Sequence, residues 1–191
     1  RTTNQDLLMA FYTGRAYRDF EAEFKFRWDG GHCGAGFVFR AQDARHYYIV
    51  NFPNIGQCSR AEHFWALISK VGDSGWVDVL KMEMLHGVAS EGRYGELWHQ
   101  ARLVVEGDEF RLWVDGRPFP VVRDDTYTEP GLVGFEAWGY AGTSSFQDVR
   151  LSGKSVRPKP WDATLQPVQN WFLPYPITCL LYTSDAADEL D

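Results

Sequence analysis

The chain has 191 residues, 45% hydrophobic and 16% aromatic, enough to bury one full core and unlike the composition of a disordered chain. Its 26 acidic against 19 basic residues give a net charge of −7, which offers no electrostatic basis for binding nucleic acid or an anionic membrane. No apolar run approaches the ~18 residues of a membrane helix, and the sequence opens at Arg1 without an initiator Met, read as a mature end or a truncation.

Residues 6–12 are strand-like, and 20–28 are a cleaner case: Phe20, Ala22, Phe24, Phe26 and Trp28 face one way and Glu21, Glu23, Lys25 and Arg27 the other. Residues 34–41 and 46–52 are the next two strands, paired as a hairpin with residue 40 opposite about residue 46. Burying Phe37 and Phe39 turns Val38 and Arg40 to the opposite face. The phase of Tyr47 and Tyr48 stays open, because both faces of their strand are apolar. Cys33 and Cys58 flank this hairpin and arrive at one end of it. A disulfide there, which would stabilise the fold by roughly 3 kcal/mol and mark an exported protein, stands beside the alternative of two free cysteines. Zinc ligation with His32 and His63 added matches no closed spacing.

Residues 63–71 and 76–84 are further strands, separated by the turn Gly72-Asp73-Ser74-Gly75. Residues 102–106 and 110–114 alternate around the tight-turn dipeptide Gly107-Asp108, and Asp115-Gly116 turns the chain again. In 131–139, Val133, Phe135 and Ala137 share one face, and Gly134, Glu136 and Trp138 the other. The last strand, 145–151, needs a bulge to set Phe146 beside Val149 and Leu151. About ten short strands with glycine-rich turns, and no helical period, specify an all-β, two-sheet antiparallel sandwich over residues 1–153.

Beyond Gly153 the stretch Lys154-Ser155-Val156-Arg157-Pro158-Lys159-Pro160 reads as a basic linker, and residues 154–178 as that linker plus the start of a truncated second domain. Residues 179–188 resemble translated read-through of a sequencing adapter, so 179–191 are set aside from fold reasoning. Removing Asp185, Asp188, Glu189 and Asp191 with that tail leaves a net charge of −3.

Trp98, Gly107, Val114-Asp115-Gly116, Gly131, Val133-Gly134-Phe135, Phe146, Asp148-Val149 and Leu151 form a closing pattern. It resembles the concanavalin A-like lectin/glucanase superfamily, above all its laminin G-like and 3-keto-disaccharide hydrolase domains. Tyr17-Arg18-Asp19-Phe20, Gly34-Ala35-Gly36-Phe37-Val38-Phe39-Arg40 and Tyr47-Tyr48-Ile49-Val50 agree with the opening, third and fourth strands of that group. The resemblance covers residues 6–153 and implies a jelly roll, a fold that hosts lectins, hydrolases and protein-binding modules alike.

The related family 16 glucanases carry E-x-D-x-x-E, two carboxylates flanking one glycosidic bond about 5 Å apart; this chain has no such pattern. Glu21 and Glu23 alternate with Lys25 and Arg27 as a solvated face, and Asp124-Asp125 reads as turn chemistry. In the resembling hydrolase domains an arginine after paired phenylalanines and polar side chains on the late strand line the sugar groove. The resemblance therefore implies Arg40, Glu136 and Trp138, joined by Tyr48, as the ligand-binding set, with Glu136 and Arg40 the catalytic pair if the domain is an enzyme. Glu136 and Trp138 stand where those domains more usually carry an amide and a histidine, which weighs against hydrolysis more than against binding. A tryptophan face beside a charged pair suits sugars, whereas Trp65, Trp76, Trp98 and Trp113 read as packing residues. The plainer reading of Arg40 and Glu136 is a surface ion pair worth under about 1 kcal/mol.

The expected function is a carbohydrate-binding module, extracellular or periplasmic, attached to a truncated glycan-degrading enzyme and binding an oligosaccharide or polysaccharide. The alternatives are a glycoside hydrolase acting on 3-keto-glycosides and a laminin G-like protein-interaction module. No cofactor is expected beyond a structural calcium of the kind some laminin G-like domains carry, for which Asp29, Asp43 and Asp148 are the candidate ligands.

Overall fold

The computed structural model describes residues 6–29, 31–54, 63–75, 77–86, 97–141 and 144–161. These form eleven strands and no helix: β1 (Asp6–Trp28), β2 (Gly31–Ala41), β3 (Tyr47–Asn54), β4 (His63–Val71), β5 (Val77–His86), β6 (His99–Glu106), β7 (Glu109–Val114), β8 (Arg117–Pro118), β9 (Val122–Arg123), β10 (Gly131–Ala141) and β11 (Ser144–Val156). The two strands expected at 6–12 and 20–28 are one 23-residue strand, β1. Its first part pairs with β10, the register shifts between Tyr12 and Tyr17, and its second part pairs with β11 on one side and β6 on the other. β1 thus passes from one layer of a sandwich to the other. The front layer runs β5-β4-β3-β2-β10-β1; the back layer runs β11-β1-β6-β7, with β8 and β9 on β7. The all-β, antiparallel jelly-roll sandwich implied by the sequence is the observed fold.

Local chemistry sets the turns. β7 and β8 are joined by Asp115 and Gly116, both at positive φ (48° and 76°), the two-residue geometry whose twist matches the flanking strands. β6 and β7 turn at Gly107, φ 56°. The bulge expected in the last strand lies at Asp148, φ 54°, where the β1 register jumps between Glu23 and Lys25.

The core lies between the layers. Phe20, Ala22, Phe24, Phe26 and Trp28 are all buried there, as their alternation predicts. Phe24 stacks on Phe37 with ring centroids 5.0 Å apart, and Phe26 on Phe52 at 4.1 Å. Burying a ring of this size stabilises the fold by roughly 1.5–3 kcal/mol. The opposite face of β1 is wet: Arg102 bonds Glu21 at 2.6 Å and Lys25 bonds Asp148 at 2.7 Å. The front layer differs from the back in being apolar on its outer face too. There Val38, Tyr47, Ile49, Val71, Val77 and Leu132 form a second cluster, and Trp65 and Leu67 a third.

Cys58 and residues 162–191 lie outside the described residues, and with them the expected disulfide to Cys33, most of the stretch expected to begin a second domain and the adapter-like tail. Lys154, Ser155 and Val156, expected as linker, extend β11 instead, with Ser155 and Val156 paired to Tyr17 and Ala16 of β1.

Candidate functional site

The outer face of the front layer carries one polar row across otherwise apolar strands. Register places Met9, Glu136, Gly36, Asn51, Leu67 and Met82 side by side across β1, β10, β2, β3, β4 and β5. Glu136 and Asn51 are fully buried, and Asn51 Nδ2 donates to Glu136 Oε1 at 3.1 Å. Gly36 makes that contact across an intervening strand feasible: a Cβ there would sit 3.1 Å from Glu136 Cβ and 3.2 Å from Asn51 Nδ2. Gly34 does the same for Trp138, whose indole Nε1 would be 2.2 Å from an added Cβ. The ring occupies the space a side chain at Gly34 would take and is only 6% exposed.

Two residues along, Ser69 pairs with Ile49 on the same face as Asn51. Ser69 Oγ and Asn51 Oδ1 are buried and have no hydrogen-bond partner among the described residues. The Tyr47 hydroxyl, also buried on this face, donates to the Met9 thioether at 3.9 Å. Burial first, and then the Glu136 charge, raise the Tyr47 pKa far above its ordinary value, so it remains a neutral donor. The face therefore offers a buried carboxylate, an amide oxygen, two hydroxyls and an indole in an apolar surround, a donor and acceptor set suited to neutral hydroxyl groups.

Residues 2–152 match the family model of the 3-keto-alpha-glucoside-1,2-lyase-like domain. The chain belongs to that family. No curated protein sequence matches it. Among solved structures it is similar to the carbohydrate-binding module CBM66 from Bacillus subtilis, at 19% identity and a TM-score of 0.57 over 80% of this chain and 84% of that one. It is also similar to a Bacillus subtilis protein of unknown function with a galectin-like fold, at 12% identity and a TM-score of 0.60 over 82% and 81% of the two chains. The homodimeric agglutinin CG-16 from chicken liver aligns at 8% identity with a TM-score of 0.52, over 77% of this chain and all of that one. These likenesses are of fold.

The lyase-like domain divides the four residues expected to bind ligand between two places. Glu136 and Trp138 lie on the outer face of the front layer, while Arg40 and Tyr48 lie on its inner face. Arg40 departs from strand alternation because two residues, Phe39 and Arg40, oppose Val133 alone; the β2–β10 register shifts there and Arg40 takes φ 48°. Its fully buried guanidinium donates to Arg18 O (2.8 Å), Gly107 O (2.6 Å), Tyr127 O (3.2 Å) and Asp19 Oδ1 (3.2 Å). Burial lowers the Arg40 pKa and Asp19 partly restores it. Arg40 thus ties turn 107–108 and loop 124–130 to the front layer, and the expected Arg40–Glu136 pair does not form. The Tyr48 hydroxyl donates to Asp124 Oδ1 at 2.5 Å and accepts from Tyr127 N at 3.0 Å in the same tie. Tyr47, not Tyr48, faces Glu136.

In this lyase-like domain the aspartates considered for calcium are far from converging on one ion. Asp29 bonds Arg27 and Ser145, Asp43 bonds His46, and Asp148 bonds Lys25. Among the described residues no group of three His, Cys, Asp or Glu side chains is placed to hold a metal. Trp98 and Trp113 stack under Arg27 and Arg102, each at 4.8 Å, as packing residues on the back layer's outer face. The residues that sequence reasoning missed are Asn51, Ser69 and Tyr47. Asn51 carried a readable signal, a lone amide inside the apolar run Tyr47-Tyr48-Ile49-Val50-Asn51-Phe52.

Proposed function

We propose that this domain recognises a saccharide on the outer face of its front layer, with Asn51, Ser69, Tyr47 and Glu136 meeting sugar hydroxyls and Trp138 forming the apolar wall. The observation that carries this reading is the pair of buried polar atoms without partners among the described residues, Asn51 Oδ1 and Ser69 Oγ. Each such atom costs about 1–3 kcal/mol when left unsatisfied, a cost that a ligand hydroxyl offsets on binding. The family and the fold shared with a carbohydrate-binding module support the same reading. The stretch Arg157-Pro158-Lys159-Pro160 that follows β11 fits a linker to a following glycan-processing domain of an exported protein.

Calorimetric titration with neutral oligosaccharides and 3-keto-glucosides tests it. Binding is expected, and Ser69→Ala should weaken it about tenfold, the loss of one hydrogen bond, while leaving thermal stability unchanged or raised. No binding across the panel, or Ser69→Ala binding like the wild type, removes the site.

A second reading is favoured by one feature, the fully buried Glu136 carboxylate held by Asn51. On a 3-keto-glucoside, the carbonyl at C3 acidifies the proton at C2. Glu136 takes that proton, the C2–H electron pair forms the C1=C2 double bond, and the glycosidic oxygen leaves C1 with its bonding pair and acquires a proton from solvent. General-base catalysis contributes roughly 10²–10⁴-fold, so Glu136→Gln should lower turnover by about that factor and retain binding. Equal turnover by the variant excludes Glu136 as the base.

A further inference from the structure

β11 ends at Val156, paired with Ala16 of β1, and the residues after it lie against the front layer. Lys159 Nζ stands 3.9 Å from Glu129 Oε2, and the Trp161 ring meets Phe11 edge to face with centroids 4.6 Å apart. Between this strap and Gln42, Pro130 and Leu132 remains a cleft of about 20 Å³, room for about one water, so the fit is close. The ion pair joins side chains 78% and 67% exposed and contributes little; the hold on the strap is the Trp161 contact. Pro158 and Pro160 fix φ at two positions and reduce the freedom lost when the strap docks.

Phe11 belongs to the face that carries the saccharide site. It pairs with Gly134, and Glu136 lies two residues along β10 on the same face. A Cβ on Gly134 would be 3.0 Å from Phe11 Cδ1, so the Phe11 ring stands against the space that glycine leaves, and Trp138 takes the corresponding space at Gly34. Glu136 therefore has aromatic rings to either side of it along the strand, Trp138 on one and Phe11 with Trp161 on the other, each about 7 Å away by strand rise. Phe11 and Trp161 also pack on the outer-face cluster that contains Tyr47, whose hydroxyl belongs to the site. Trp161 is half-buried, so part of the indole stays open to solvent on this face.

We propose that Trp161 is a ligand-contacting wall of the saccharide site, on the opposite side of Glu136 from Trp138, so that residues beyond the last strand complete the site. The inference rests on the saccharide reading of that face. A sugar held through its hydroxyls by Glu136 and Asn51 still has apolar C–H surface to cover, and the open part of the indole is the aromatic surface on that side. Phe11 sets the orientation of that indole through the edge-to-face contact. Strap docking and sugar binding then favour each other, since each adds contact to the same ring.

Fluorine NMR of the full chain labelled with 5-fluorotryptophan tests the proposal, with two signals assigned by their absence from Trp138→Phe and Trp161→Phe. On titration with neutral disaccharides and methyl 3-keto-α-glucoside, the Trp138 and Trp161 signals should shift over the same concentration range, while those of Trp98 and Trp113 stay in place. In calorimetry Trp161→Ala should bind about tenfold more weakly, and Trp161→Phe should recover most of that loss. If Trp161→Ala does not fold, the labelled wild type decides alone. A Trp138 shift without a Trp161 shift, or wild-type affinity in a folded Trp161→Ala, overturns this inference and leaves the saccharide reading standing. No tryptophan shift and no binding with any of these sugars overturns both.

Discussion

Replacing Arg40 with Met keeps the volume and the apolar stem and removes the guanidinium. Three backbone carbonyls then lose the Arg40 donor, and the Asp19 carboxylate loses one of its two donors, keeping Gly107 N. Breaking a buried charged pair by removing one partner costs about 3–5 kcal/mol, but the Asp19 side chain is 51% exposed and rehydrates. The lower end, about 3 kcal/mol, is therefore the expected loss, a large fraction of the 5–15 kcal/mol typical of a domain. For a chain of this size that lowers the melting temperature by about 6–12 °C. Urea unfolding followed by tryptophan fluorescence, with calorimetric melting in parallel, measures it. Arg40→Lys should recover only part of the loss, because an ammonium cannot span four acceptors in fork geometry. A loss below about 1 kcal/mol, which is the range of a surface ion pair, refutes the buried tie. Loss of saccharide binding at unchanged stability refutes it too, and returns Arg40 to the ligand-binding set.

The same tie makes acid stability depend on Asp124. Burial alone would raise its pKa, but hydrogen bonds from Thr126, Tyr48 and Lys70 bring it from 3.8 down to about 2. The folded value is the lower one, so the stabilisation, about 2 kcal/mol, is present above pH 3.8 and lost as pH falls through about 2. Asp124→Asn should flatten that acid limb in denaturation curves taken from pH 5 to pH 2. His46 works with the opposite sign: burial lowers its pKa, but Asp43 on Nδ1 and Asp73 on Nε2, both at 2.8 Å, raise it above 6.5 overall. Its contribution is full below pH 6.5 and disappears as pH rises through the raised folded value, so His46→Gln should lose stability at pH 6 and little at pH 9. Gly34→Ala drives a methyl group into the Trp138 indole and should destabilise the fold by about 1–3 kcal/mol, with a changed tryptophan emission; an unchanged spectrum would mean that the ring does not rest on Gly34.

What could be read from the sequence was local. The phase of residues 20–28 was legible because charges mark its wet face, and the hairpin around Gly107-Asp108 because the turn dipeptide fixes the register. The phase of Tyr47 and Tyr48 was not legible, since the front layer is apolar on both faces and alternation has no polar side to refer to. Arg40 was misplaced for a non-local reason. The bulge that turns it inward, opposite Val133, brings its backbone against Gly131, where an added Cβ would lie 2.3 Å from the Arg40 carbonyl carbon, and strand alternation within β2 contains no trace of that contact. Trp138 was assigned to the correct face, but its low exposure depends on Gly34, two strand positions that become neighbours only when β10 pairs with β2. Ser69 sits in an ordinary apolar strand, and only its lack of a partner among the described residues distinguishes it.

Heteronuclear NMR of the labelled chain, titrated with a neutral oligosaccharide or 3-keto-glucoside, tests the central claim most directly because it reports which face responds. Saccharide recognition on the front layer predicts amide and side-chain shifts at Gly34, Gly36, Asn51, Ser69, Glu136 and Trp138, with none at Glu21, Arg102 or Arg111 on the opposite side of the sandwich. Shifts confined to that back face, or no shifts with any sugar, would contradict it.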